Sequence, residues 1–103
     1  MAQEADTQKT IMTYLQYRKV FAWRQNSGAM PIGEGRSRRF VTFGAVGAPD
    51  IFVIKNGAIY GLEVKSAIGR QNDNQKAFQV GFEEAGGKYY LVRSLDDVIK
   101  IGF

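Results

Sequence analysis

Near the middle of the chain Ile51-Phe52-Val53-Ile54 runs without a polar break into Lys55, Asn56-Gly57 follows at once, and Ala58 to Lys65 returns. A short continuous apolar run is the mark of a strand covered on both faces, and Asn-Gly between two strands is the strongest local signal of a two-residue hairpin turn. Such a turn leaves no freedom in the pairing. With Lys55 facing Ala58, the register carries back until Asp50 stands opposite Glu63. Directly opposed side chains lie about 4.5 to 5.5 Å apart at Cβ, so the hairpin sets two carboxylates side by side, which repel unless a cation lies between them. Strand alternation then places Glu63 and Lys65 on one face and Leu62 and Val64 on the other. The plainer alternative is that Asp50 caps a loop while Glu63 and Lys65 form an exposed ion pair.

None of the 103 residues is cysteine or histidine. That excludes Ser-His-Asp and Cys-His catalysis, zinc sites built on Cys or His, haem ligation, disulfides and imidazole pH switches. Chemistry here must use carboxylates, lysine, hydroxyls or amides. Any metal must be held by oxygen, which points to Mg²⁺ or Mn²⁺, and no organic cofactor is expected. Fourteen basic against ten acidic residues give a net charge of +4 and a pI near 9.5, a lean toward a polyanionic partner. No apolar run approaches the roughly 20 residues of a membrane span, and the length suits one domain over residues 1–103. The expectation is a soluble protein of the cytoplasm, of a bacterium or a phage-infected cell, with no membrane partner.

Ala2 to Lys19 has helical periodicity, and at 100° per residue Glu4, Gln8, Ile11 and Leu15 share one stripe. Glu4 is thereby aimed at the buried side; the alternative is a solvated first turn favoured by the helix dipole. Val20 to Arg24 reads as a strand, Asn26 to Ser37 as a Gly-, Ser- and Pro-rich loop, and Phe40 to Phe43 as another strand. Gly33-Glu34-Gly35 is no dinucleotide fingerprint, since no strand precedes it and the third glycine is missing. Arg36, Arg38 and Arg39 form the densest basic cluster, able to grip phosphates or to stand as a solvated loop. Asn72 to Ala85 is predicted to be a helix, with Asn72 as N-cap, Gln75 at the reciprocal capping position and Gly86-Gly87 ending it. Gln75, Phe78, Phe82 and Ala85 share a face that must pack on the sheet, so Gln75 is either a buried amide needing a partner or simply a capping residue. Lys88 to Arg93 makes a last strand, and Ser94-Leu95-Asp96-Asp97 opens a short final helix.

An acid pair with a lysine suits phosphodiester hydrolysis, in which charge on the phosphoryl oxygens must be neutralised and a water activated. Gly47-Ala48-Pro49-Asp50, the apolar strand, Asn56-Gly57, Gly61-Leu62-Glu63-Val64-Lys65-Ser66 and Gln75 together resemble the PD-(D/E)XK nuclease superfamily. More narrowly, the chain resembles a VRR-NUC domain, the virus-type replication-repair nuclease. The likeness takes in Glu4 and Gln8, the Ala22 to Gly28 segment, and Gly86-Gly87 through Val92-Arg93-Ser94.

The resemblance implies an α/β fold: a small mixed sheet flanked by helices, with the site at the end of the hairpin. It implies that Asp50, Glu63 and the Val64 backbone carbonyl ligate the metal, with Glu4 completing the site directly or through water. Lys65 would serve the nucleophilic water, and Gln75 would orient water, lysine or DNA backbone. Arg24, Asn26, Ser27, Arg36, Arg38, Arg39 and Arg70 are the candidate nucleic-acid contacts. The expected function is a Mg²⁺- or Mn²⁺-dependent endonuclease for branched DNA, such as a Holliday junction, in replication, recombination or repair. Symmetric cutting of a four-way junction calls for a two-fold dimer, with Ile101-Gly102-Phe103 and Tyr89-Tyr90 as candidate interface, though core packing explains them as well. The alternatives are an exonuclease or other nuclease of the superfamily, and a binding module without catalysis.

Overall fold

The Asn56-Gly57 turn adopts φ angles of 53° and 79°, the two successive left-handed conformations that match a two-residue turn to the twist of its strands. It joins β4 (Ile51–Lys55) to β5 (Ala58–Val64), and the pairing runs from Lys55–Ala58 to Ile51–Leu62 as the turn dictates. The computed structural model describes residues 2–25, 28–37, 39–43 and 45–103. Before the hairpin come α1 (Ala2–Tyr17), β1 (Phe21–Arg24), β2 (Gly28–Ile32), a 3₁₀ turn (Gly35–Ser37) and β3 (Arg39–Phe43); after it come α2 (Asp73–Glu84), β6 (Lys88–Val92) and α3 (Leu95–Ile101). The main sheet has the order β1-β4-β5-β6. β1 and β5 run antiparallel to β4, whereas β6 runs parallel to β5 with α2 as the crossover between them. This is the small mixed sheet flanked by helices that the sequence led us to expect.

The two faces of that sheet differ. Ile51, Val53, Leu62, Val64 and Val92 point one way and close the hydrophobic core with Ile11 and Leu15 of α1, Val98 of α3 and Phe103. On the opposite face Phe52 meets Trp23 of β1 and Phe78 and Phe82 of α2, with ring centroids 5.5 to 6.5 Å apart. α2 itself has no buried residue. Toward the hairpin tip this second face is open, so Ile54, expected to be covered on both sides, is exposed together with its partner Phe21.

Three expectations are corrected. The stretch 26–37 is not loop throughout, because β2 pairs antiparallel with β3 from Gly28–Phe43 to Ile32–Arg39. A two-stranded ribbon leaves each strand one open edge, where a proline lacking its N–H is tolerated, so Pro31 does not prevent the pairing. The proposed interface ends are largely interior: Phe103 and Tyr89 are buried. Tyr60 packs edge-on against the Phe103 ring at 4.9 Å, and the Phe103 carbonyl accepts from Tyr14 Oη at 3.2 Å. Ala85, placed on the packing face of α2, is exposed at its C-cap.

Candidate active site

Where the β4–β5 ladder ends at Ile51–Leu62, one further step brings Asp50 to Glu63 and Val64. The Asp50 side chain replaces the next ladder bond: its Oδ2 accepts the Val64 N–H at 2.8 Å. Its main-chain carbonyl accepts from the Gln25 N–H at 2.7 Å, tying the end of β1 to the same point. Asp50 therefore caps the strand end and still lies close enough to Glu63 for its charge to raise that carboxyl. The exposed-ion-pair alternative fails for Glu63, which is 2% exposed. Its Oε2 lies 3.4 Å from Lys65 Nζ and accepts from Gln75 Nε2 at 3.0 Å. Its Oε1 is buried with no hydrogen-bond donor.

Burial, and then the negative charge of Asp50, push the Glu63 carboxyl up to about 8, against the pull of the Lys65 ammonium. Asp50 is raised as well, since burial outweighs the Val64 N–H and the Lys65 charge that favour its ionised form; the Glu4 carboxylate pushes it in the same direction as burial. Two repelling acids, held buried and near a single lysine, make a site in want of more positive charge.

Gln75 performs both tasks that the sequence posed as alternatives. Its Oε1 accepts the Asn72 N–H at 2.9 Å while Asn72 Oδ1 accepts the Gln75 N–H at 2.8 Å, a complete capping box. Its Nε2 is left free to hold Glu63. The helix start is kept close to Asp50 by Gly47, whose φ is 80° and at which a Cβ would stand 2.3 Å from the Asn74 carbonyl oxygen.

Glu4 does point inward. Its Oε2 accepts the Ser66 N–H at 3.1 Å, beside the strand end that carries Lys65. The turn after Lys65 is further fixed by Arg93, whose Nη1 donates to the Ser66 carbonyl and, at 2.8 Å, to the Gly69 carbonyl. Sequence reasoning assigned Arg93 no role. The signal available was register alone: β5 and β6 pair in parallel from Tyr60–Lys88 to Val64–Val92, which sets Arg93 next to Lys65. Tyr89 was also missed as a neighbour; its buried hydroxyl accepts from Gln71 Nε2 at 3.1 Å.

The candidate nucleic-acid contacts are not gathered into one patch. Arg24 donates through Nη2 to Gln8 Oε1 at 3.0 Å, linking β1 to α1. Arg36 is exposed on the 3₁₀ turn, Arg70 is exposed between β5 and α2, and Arg39 lies in β3. Asn26, Ser27 and Arg38 lie outside the described residues. Among the described residues, no three acidic, histidine or cysteine side chains are gathered into a group able to hold a metal. The donor set is the Asp50–Glu63 pair with whatever backbone oxygen adjoins it. That set is all oxygen, and the unpartnered buried Glu63 Oε1 fits a hard divalent cation.

Neither a protein-family profile nor a curated protein matches this sequence. A solved structure described as a VRR_NUC domain superposes on it with a TM-score of 0.68 at 23% identity, covering 98% of this chain and 98% of that one. The chain has the fold of a VRR_NUC domain. The likeness spans both chains almost end to end, so the VRR_NUC fold accounts for the mixed sheet and for the helices on its two faces.

Proposed function

We propose that this chain is a Mg²⁺- or Mn²⁺-dependent nuclease that hydrolyses phosphodiester bonds in DNA. The observation that carries the reading is Glu63: buried, facing a second acid, paired with Lys65 and Gln75, and left with one oxygen unpartnered. A buried carboxylate without a donor costs folding free energy, and a bound cation at that oxygen removes the cost. In this reading Asp50, Glu63 and the Val64 carbonyl hold the ion, and Glu4 supports them. A divalent cation there would neutralise phosphoryl oxygens and lower the pKa of a bound water. Asp50 stays in place because Val64 N–H fixes it, and Gln75 fixes Glu63 in the same way. Lys65, with its Nζ 3.4 Å from Glu63, orients the attacking water and, as the ammonium, offsets the charge that develops on the phosphoryl oxygens; in its neutral form it would take the proton of that water. No imidazole is required.

The substrate proposed is branched DNA such as a four-way junction, cut by a two-fold dimer. Arg70, Lys76 and Arg93, beside the site, are cations, which meet backbone phosphates rather than base edges. Arg24, Asn26, Ser27, Arg36, Arg38, Arg39 and Arg70 are the proposed contacts, and the cell interior is the proposed location; among the described residues no helix is long and apolar enough to cross a membrane.

The test incubates the protein with labelled junction, flap, nicked, single-stranded and plain duplex DNA in Mg²⁺, Mn²⁺ or EDTA, beside Asp50→Ala and Lys65→Ala. Cleavage that needs the metal and is lost in both variants supports the site. Cleavage in EDTA, or full activity in either variant, overturns it, and tight binding without cleavage by the parent chain points to a binding module. A monomer in sedimentation at the cutting concentration rules out the dimer.

A further inference from the structure

We propose that a groove beside the acid pair, bounded by Arg70, Lys76 and Arg93, holds the phosphate that adjoins the hydrolysed one on the same nucleic-acid strand. The groove encloses about 280 Å³ and has Gln71 and Leu91 as its other walls. This rests on the nuclease reading and adds to it a second anion site with its own residues.

Position is the first argument. Leu91 is the register partner of Glu63 on the neighbouring strand, and adjacent strands lie only about 4.8 Å apart. Lys76 follows Gln75, whose amide touches Glu63, and Arg93 follows Val92, the partner of Val64. Three of the five walls, Leu91, Lys76 and Arg93, are thus one residue or one strand away from a group of the acid site. A strand crossing the sheet from β5 toward β6 meets the acid pair and then the groove, as successive phosphates of one backbone would.

Charge is the second argument. Three cations line the groove and no acid does. Among the described residues neither the Arg70 nor the Lys76 side chain has an ion pair or hydrogen bond. Arg93 is anchored differently, through Nη1 on the carbonyls of Ser66 and Gly69, so its guanidinium is held in place with the remaining N–H groups available. Gln71 is fixed too, donating through Nε2 to Gln79 Oε1 at 2.9 Å and to the Tyr89 hydroxyl. Like charges brought together around a fixed wall repel, and an anion between them turns that repulsion into binding. The arrangement divides the labour: the acid pair, with the cation it would hold, would serve the scissile phosphate, while the groove takes its neighbour directly.

The experiment replaces single phosphates around the cut, one at a time, with neutral methylphosphonate, and measures KM and kcat for the parent chain, Arg70→Ala, Lys76→Ala and Lys76→Arg. For the parent, one neighbouring position should raise KM roughly tenfold, the scale of one charge-assisted hydrogen bond, with little change in kcat. Lys76→Ala and Arg70→Ala should raise KM for unmodified DNA by a similar factor and lose sensitivity at that one position, and Lys76→Arg should restore both. Equal methylphosphonate penalties in parent and alanine variants, or unchanged KM in both variants, would overturn the groove. Equilibrium binding of the same DNAs in EDTA is measured alongside, where each alanine variant should lower the slope of log Kd against log salt by about one phosphate contact. If the parent cuts no DNA, the nuclease reading fails, and these binding slopes still decide the groove.

Discussion

At Glu63 the cost of burying a charge and its placement beside Asp50 act in the same direction, and both lift the carboxyl to about 8 from an ordinary value of 4.5. In metal-free protein the folded state therefore binds a proton between those values that the unfolded state has released. Stability must fall as pH rises from about 4.5 to about 8 and then level off. Denaturant unfolding in EDTA across that window should show the decline in the parent and a much flatter profile in Glu63→Gln, which is also expected to lose cleavage. Added Mg²⁺ should stabilise the parent more at the upper end of the window than at the lower, because the ion competes with the proton. Gln75 permits a cleaner separation. In Gln75→Glu the side chain can still accept the Asn72 N–H, so the helix cap survives, yet a negative charge replaces the amide donor at Glu63. That variant should fold with normal helix content and cut at least roughly tenfold more slowly. Gln75→Ala should lose about 1 kcal/mol of stability in addition.

The elements bring these residues together through contacts of very different range. β4 and β5 are joined by two residues, so the Asp50–Glu63 pairing was legible from the turn alone, and so was the capping box of α2, which is written in the four consecutive residues Asn72 to Gln75. α2 is harder to place from sequence, because its position over the acid pair depends on the parallel pairing of β6 with β5 and on the loop before Asp50. Gly47 shows the tolerance involved. A methyl at Gly47, 2.3 Å from the Asn74 carbonyl oxygen, must push the loop away from the first turn of α2. Gly47→Ala is expected to lose about 1 to 3 kcal/mol in denaturation and, by moving Asp50 relative to Gln75, to reduce cleavage more than stability. The same dependence on distant pairing explains what was misread. Arg93 acquires its place beside Ser66 only once β6 has docked, and Gly28–Ile32 becomes a strand only because β3 supplies the partner. Composition favours turn in such a segment, and hydrogen bonds formed across the chain override it.

On the scale of the whole molecule, the sheet separates stability from chemistry. Apart from Pro49, the fully buried apolar side chains lie on the side of α1 and α3, where Ile11, Leu15 and Val98 close on the strands. The acid pair, the lysine and the aromatic group around Phe52 lie on the other side, under α2. The carboxyl-terminal Phe103 belongs to the first side, which is why its apolar end, plausible from sequence as a contact between copies, is spent on the core instead. The sequence could not distinguish these uses, because both need an exposed-looking apolar terminus and only the packing of Tyr60 and Tyr14 decides between them. A helix that buries nothing completely is also one the protein can detach at little expense. The amides of α2 should accordingly exchange with solvent deuterium through a partial opening whose free energy lies well below that of global unfolding, while those of α1, β4 and β5 wait for the whole chain to unfold. Native-state exchange at low denaturant would register this as two sets of amides with different opening energies. Glu63, inaccessible in the closed form, would then meet water and ions far more often than the overall stability of the fold implies.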